Sequence, residues 1–304
     1  MTFLPFYINF NNNRKKSAPK RAPSRLFFRI FLSKNSDYIG IFVTFAPRIS
    51  KFEKYLVMKK LLTCLFAALG LTTACGQAQT NYETDVFKTQ SGKTVTFHAL
   101  VHASIRIQYD GKEIEIDPVT KLGNKTIDYA AMPKADYLLV THEHGDHFNQ
   151  EAIKVLTGEK TRFITNKRCA DIYGSGEVME NGDKLQIAND FTIEAVPAYN
   201  YSEGRTQFHP KGRDNGYILT IDGLRVYIAG DTEDIPEMSA IKDIDVAFLP
   251  CNQPYTMTPD QLVKAARIIK PKVLFPYHYG QTDVSGLPGQ LKGDGIDVRI
   301  RHYE

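Results

Sequence analysis

Thr141-His142-Glu143-His144-Gly145-Asp146-His147 follows directly on Ala135-Asp136-Tyr137-Leu138-Leu139-Val140, a run with the character of a buried strand. Three of the chain's eight histidines and an aspartate fall between positions 142 and 147. Imidazoles and carboxylates on so short a turn crowd one another unless a cation holds them. Their nitrogen and oxygen donors suit zinc and its borderline neighbours. His142 and His144, two residues apart, can converge on one ion, and Asp146 and His147, beyond the glycine, can turn to a second. Two ions about 3.5–4 Å apart share an activated water. The alternative for this stretch is a solvated polar turn.

Four donors do not serve two ions, so others must come from elsewhere. Ile228-Ala229-Gly230-Asp231-Thr232 ends a hydrophobic strand with an aspartate just past a glycine. A carboxylate there can bridge two ions through its two oxygens, or it can cap the next helix. Val273-Leu274-Phe275-Pro276-Tyr277-His278-Tyr279 ends a later strand with His278, a further donor or a packed structural histidine. No P-loop, Gly-x-Ser-x-Gly elbow or dinucleotide fingerprint is present.

His-x-His-x-Asp-His after a strand, a Gly-Asp-Thr aspartate and a late strand-end histidine, in this order, resemble the metallo-β-lactamase superfamily over roughly residues 94–302. Val101-His102-Ala103-Ser104 and Ile116-Asp117-Pro118 are similar to the branch containing ascorbate-phosphate lactonases and uncharacterised metal-dependent hydrolases. The resemblance implies an α/β (α+β) chain folded as an αββα sandwich, two mixed sheets flanked by helices with the metals at the sheets' top edge. It implies that His142 and His144 bind the first metal, that Asp146, His147 and His278 bind the second, and that Asp231 bridges.

The chain departs from the family at one point. The third histidine of the first metal is expected at the end of a middle strand, which here reads Val196-Pro197-Ala198-Tyr199-Asn200. Asn200 is the nearest equivalent, and its amide oxygen is a weaker, harder ligand than imidazole. His209, in Phe208-His209-Pro210-Lys211-Gly212, is the other candidate, for metal or for substrate. With an oxygen ligand, manganese or iron join zinc as the expected divalent pair. His102 matches a family position near the site mouth. His98 flanks the first strand turn with His102, and His302 reads as a surface or structural residue.

The expected activity is hydrolysis of an ester, lactone, amide or phosphodiester in a small molecule by a metal-activated water. Asp146 orients that water and shuttles its proton. Two other readings stand beside it. One is an exported phosphodiesterase or phospholipase, and the other is a non-catalytic metal-binding surface lipoprotein.

The chain's 42% hydrophobic and 24% charged residues are ordinary for a globular protein and exclude disordered, collagen-like and disulfide-scaffold classes. The net charge of +4 is unevenly spread. Residues 1–57 hold 11 Lys/Arg against 2 Asp/Glu, whereas residues 75–304 hold 25 against 32, a net of −7. The working part is acidic, which argues against nucleic acid as a partner.

Residues 1–57 show neither strand alternation nor a sustained helical period and read as an upstream mis-start or leader, a transit peptide being the competing reading. At Met58-Lys59-Lys60 the pattern changes to an apolar run from Leu61 to Leu71 and then small residues, the outline of a bacterial export signal over 58–78. Leu71-Thr72-Thr73-Ala74-Cys75 resembles a lipobox, with Cys75 as the lipidated anchor. Gly76-Gln77-Ala78 offers a soluble-export cleavage site instead. A periplasmic or outer-membrane location follows, and residues 79–304 make one hydrolase domain. Cys169 and Cys251 read as buried hydrophobes rather than a bridge.

Expected strands are 94–100, 104–109, 113–117, 135–140, 162–165, 191–196, 216–221, 224–229, 245–249, 272–275 and 297–301. Asp110-Gly111 and Asp222-Gly223 mark hairpin turns. Asn149 caps a helix to Leu156, and a second helix spans 259–269.

Overall fold

The computed structural model describes residues 82–303 and, as backbone, the strands β1 (Ile30–Asn35) and β2 (Tyr38–Val43). The chain divides into two compact units, 1–76 and 77–304. In the first, β1 and β2 pair antiparallel, with Ile30 opposite Val43 and Asn35 opposite Tyr38. These strands fall within 1–57, where the sequence shows no strand alternation. Ile30-Phe31-Leu32 and Ile39-Gly40-Ile41-Phe42-Val43 are rich in strand formers but do not alternate with polar residues, so a period-two search passes over them. The expected export signal over 58–78, with Cys75, lies outside the described residues.

The second unit begins as an antiparallel meander of β3 (Glu83–Lys88), β4 (Thr94–Val101), β5 (Ser104–Tyr109) and β6 (Lys112–Ile116). A small ribbon of β7 (Lys121–Leu122) and β8 (Lys125–Thr126) stands apart. Strands β9 (Tyr137–Val140), β10 (Arg162–Thr165) and β11 (Glu177–Val178) extend the first sheet in parallel from β6. The second sheet starts antiparallel with β12 (Lys184–Ala188), β13 (Phe191–Ala198), β14 (Asp214–Ile221) and β15 (Leu224–Ile228). It continues parallel through β16 (Val246–Pro250), β17 (Val273–Tyr277) and β18 (Asp297–Val298). Each sheet has seven strands. The helices are α1 (Gln150–Leu156), α2 (Lys167–Tyr173), α3 (Pro259–Ile269) and α4 (Leu287–Leu291).

Local chemistry explains the joints. Asp110-Gly111 and Asp222-Gly223 all take positive φ, the backbone of a tight hairpin turn that follows strand twist. Asn149 accepts from the Ala152 N–H at 2.8 Å to start α1, and Thr258 and Gln261 close a capping box on α3.

The alternation of side chains then builds the layers. Tyr217, Leu219 and Ile221 of β14, Val246 and Phe248 of β16, and Val273, Phe275 and Tyr277 of β17 face Ile105, Ile107, Ile114 and Leu139 of the first sheet in one core. Ile218, Ala247, Leu249 and Leu274, one residue out of phase, pack on Leu262, Ala265, Ala266 and Ile269 of α3. Leu138 and Val140 turn outward against Ala152, Ile153 and Leu156 of α1. Three apolar clusters between four layers make the expected αββα sandwich. Within the second unit, strands β3, β7, β8, β11 and β12 and helices α2 and α4 were not foreseen. Cys169 and Cys251 are buried and free. Among the described residues, no helix is long and apolar enough to cross a membrane.

Candidate metal centre

The parallel pairing of β6 with β9, and of β15 with β16 and β17, brings the carboxyl ends of these strands to one edge of their sheets. Strand β4 runs with β6, and β13 with β15, because each pair is separated by one antiparallel neighbour. His102 lies in the turn after β4, Asp117 after β6, His142 after β9, Asn200 after β13, Asp231 after β15 and His278 after β17. Strand ends in an α/β sheet leave loops free to converge there. Gly230 makes the approach to Asp231 possible. Its φ is +65°, and a Cβ there would lie 2.8 Å from the Asn215 carbonyl oxygen.

Two groups of donors meet across Asp231. In the first, His142 Nε2 is 3.1 Å from His144 Nδ1, and His209 Nε2 is 3.2 Å from the same His144 atom. In the second, Asp146 Oδ2 lies 3.2 Å from His102 Nε2, 3.4 Å from His278 Nε2 and 4.0 Å from His147 Nε2. The Asp231 carboxylate stands between them. Its Oδ2 is 3.3 Å from His209 Nε2, 3.8 Å from His142 Nε2 and 3.2 Å from His278 Nε2, while its Oδ1 is 3.2 Å from His147 Nε2.

All six residues singled out first in the sequence therefore meet in one place. The two tentative histidines join them, His209 in the first group and His102 in the second. Asn200 is held differently. Its Nδ2 donates to the Tyr255 carbonyl at 2.7 Å, the same oxygen that His209 Nδ1 meets at 3.2 Å. His98 pairs with Gln108 at 3.0 Å on the sheet, and exposed His302 contacts Glu83 at 3.1 Å.

Electrostatics divides the groups. Burial, then the nearby His147, holds His142 well below the usual imidazole range. Burial also lowers His144, and it takes His209 down to about 4. Burial pulls the same way on His147 and His278, but Asp231 overrides it. With Asp117 and Asp146 it raises His147 well above the usual range, and with Asp146 it lifts His278 to about 9. Burial opposes ionisation of Asp231, yet His278 and His147 keep its carboxyl far below the usual carboxylate range.

The donor set fits divalent cations. His147 Nε2, His278 Nε2 and Asp231 Oδ1 are buried without a hydrogen-bond partner, an arrangement that costs free energy unless something completes it. The imidazole nitrogens of the first group, 3.1–3.2 Å apart, are close enough to share one cation.

Sequence reasoning missed two supports. Asp117, fully buried, accepts from the Thr141 N–H at 2.7 Å and the Thr141 hydroxyl at 2.8 Å, and it meets His147 Nδ1 at 2.8 Å. A carboxylate behind a ligating imidazole fixes its tautomer and ring. Its signal, an aspartate just past a strand end, was the same as that of Asp231. Glu233, also fully buried, accepts from the Tyr201 and Ser202 N–H groups at 2.8 and 2.7 Å and pairs with Arg205 at 3.0 Å. It pins the loop that carries His209, and nothing local in the sequence announces it. The same loop walls a cavity of about 470 Å³ lined by residues including Tyr199, Tyr201, Pro210 and Lys211.

Comparison with known proteins places this arrangement. The beta-lactamase superfamily domain matches residues 95–278. A metal-dependent hydrolase of Thermococcus kodakarensis is 31% identical over 217 residues, 66% of this chain and 93% of the relative. A crystal structure from Parabacteroides distasonis, assigned as a metal-dependent hydrolase, is 52% identical with a TM-score of 0.71, covering 73% of this chain and all of the other. A metallo hydrolase from Ignicoccus hospitalis is 27% identical with a TM-score of 0.58, over 68% of this chain and 94% of its own. On its motifs, its layered fold and these relatives, the chain belongs to the metallo-β-lactamase superfamily, in its branch of metal-dependent hydrolases.

Proposed function

We propose that the two donor groups hold a pair of divalent cations, zinc being the one their nitrogen-rich set suits, and that the chain uses them to hydrolyse an ester, lactone, amide or phosphodiester in a small molecule. The observation that carries this is Asp231, whose two oxygens lie 3.2–3.8 Å from imidazoles of both groups. Bound there, the cations supply Lewis acidity toward the substrate's oxygen and a water that ionises near neutral pH. The remaining work falls to the chain. Asp117 directs His147 Nε2 inward, and the Tyr255 carbonyl does the same for His209. Asp146 is one-third exposed at the mouth, and its Oδ2 faces His102 and His278. That leaves Oδ1 to orient the attacking water, take its proton and return it to the leaving group. The cavity beside His209 has the size of a small-molecule pocket.

Elemental analysis of protein purified without added metal tests the reading. Two equivalents per chain are expected. One or none, not recoverable with zinc, manganese or iron, overturns it. A matched panel of lactone, ester, amide and phosphodiester probes then selects the bond, and turnover confined to phosphodiesters assigns a phosphodiesterase.

The lysine pair, apolar run and Cys75 support export with a lipid anchor on Cys75. Incorporation of labelled palmitate that is lost in Cys75→Ser is the expected result. Protein released in soluble, unlabelled form points to cleavage at Ala78 instead.

A further inference from the structure

His102 and His278 are bound to each other and to a distant segment through the main chain. The His278 N–H donates to the His102 carbonyl at 3.2 Å, and the His102 N–H donates to the Tyr303 carbonyl at 3.0 Å. Both histidines hold left-handed backbone, with φ of 48° and 54°. Side chains with a Cβ rarely adopt that region, and such residues persist only where their surroundings hold them. Here His102 is held by the Tyr303 carbonyl, and His278 by the His102 carbonyl and by the Cys251 N–H, 3.4 Å from its own carbonyl.

The segment 299–303, which carries Tyr303, is itself fastened at several points. Tyr303 is 1% exposed, with its ring against Tyr277 at 6.4 Å between centroids. Arg299 and Arg301 both grip Asp85 of edge strand β3, at 2.9 and 2.7 Å. The guanidinium of Arg299 lies over Phe87 at 5.3 Å and that of Arg301 over Phe275 at 5.6 Å. The Arg299 N–H donates to the Leu274 carbonyl of β17 at 2.8 Å. Tyr279, next to His278, donates its hydroxyl to the Arg301 carbonyl at 2.6 Å. The strap thus ties the edge strand of one sheet to the penultimate strand of the other, directly behind the second donor group.

We propose that residues 299–303 are a positioning element for the second cation: by holding the His102 and His278 main chain, the strap sets how tightly that cation is bound. The proposal rests on the two-cation reading above. None of its residues need touch substrate. Groups that orient a ligating imidazole from behind set metal affinity without entering the coordination shell.

The test titrates metal-stripped full-length protein with cobalt, read by visible absorption and by competition with a chelator. The variants are Asp85→Asn, Tyr303→Ala and Tyr303→Phe. Wild-type protein should bind two equivalents. Asp85→Asn and Tyr303→Ala should bind the first as wild type and the second roughly 10- to 100-fold more weakly. Tyr303→Phe keeps the ring that packs on Tyr277 and should match wild type. Unchanged affinity for both equivalents in folded Asp85→Asn overturns the proposal and leaves the two-cation reading standing. Wild-type protein that binds only one equivalent overturns that reading, and this proposal with it. Should Tyr303→Ala fail to fold, Asp85→Asn decides, because its side chain lies on the outer edge strand, away from the donors.

Discussion

Asp117 Oδ2 lies 2.8 Å from His147 Nδ1, with both side chains wholly buried and His147 Nε2 turned toward Asp231. Asp117 acts on the proposed metal centre through His147, without itself offering a donor to it. Asp117→Asn keeps the shape and removes the charge, so cation affinity should fall by about 10- to 100-fold. Chelator competition measures this, and unchanged affinity in a folded variant shows that Asp117 serves only Thr141.

Asp146 is the only carboxylate of the cluster with a third of its surface open, and on the function proposed above it is the acceptor for the attacking water. Asp146→Ala should lower kcat by about 10²- to 10⁴-fold while the thermal midpoint moves little. Near-wild-type turnover in a folded variant removes it from the chemistry.

His209, not Asn200, completes the first group of imidazoles. His209→Ala should lose one equivalent of cation, whereas Asn200→Ala should keep two and weaken the first. The reverse pattern in elemental analysis would return the ligand role to the asparagine.

The metal-free protein should be most stable near neutral pH. His142, His144 and His209 are held low, His209 at about 4. As pH falls below about 6.5 the unfolded imidazoles take up protons that the folded ones refuse. Stability is therefore lost on the way down to about 4. His278 is raised to about 9 and behaves oppositely: its contribution is complete below about 6.5 and is lost as pH climbs through about 9. Thermal midpoints of chelator-treated protein across pH 4–10 check both flanks. A midpoint that rises steadily to pH 9 contradicts the second.

The sequence disclosed most where structure is locally encoded. Ser104–Tyr109, Arg162–Thr165, Gln150–Leu156 behind its Asn149 cap and Pro259–Ile269 behind its Thr258 cap have the limits their patterns predict. Strand β3 escaped because Glu-Thr-Asp-Val-Phe-Lys has no alternation; it is held at Asp85 by two arginines more than 200 positions away. The same divide runs through the site. The four donors within 142–147, Asp231 and His278 stand at strand ends and are visible as such. The choice between Asn200 and His209 was open in the sequence because it depends on Glu233 and the Tyr255 carbonyl, which bend the intervening loop from outside it.

The origin of the donors has one more consequence. His102, His142, His144, Asp146 and His147 extend from the first sheet, and His209, Asp231 and His278 from the second. Neither layer alone offers a complete coordination set, so no competent site exists until the two have docked. On the two-cation reading, cation capture would then follow the docking of the two sheets, a seal on finished assembly. A chain stalled with one sheet formed would have nothing to offer but a handful of loose histidines.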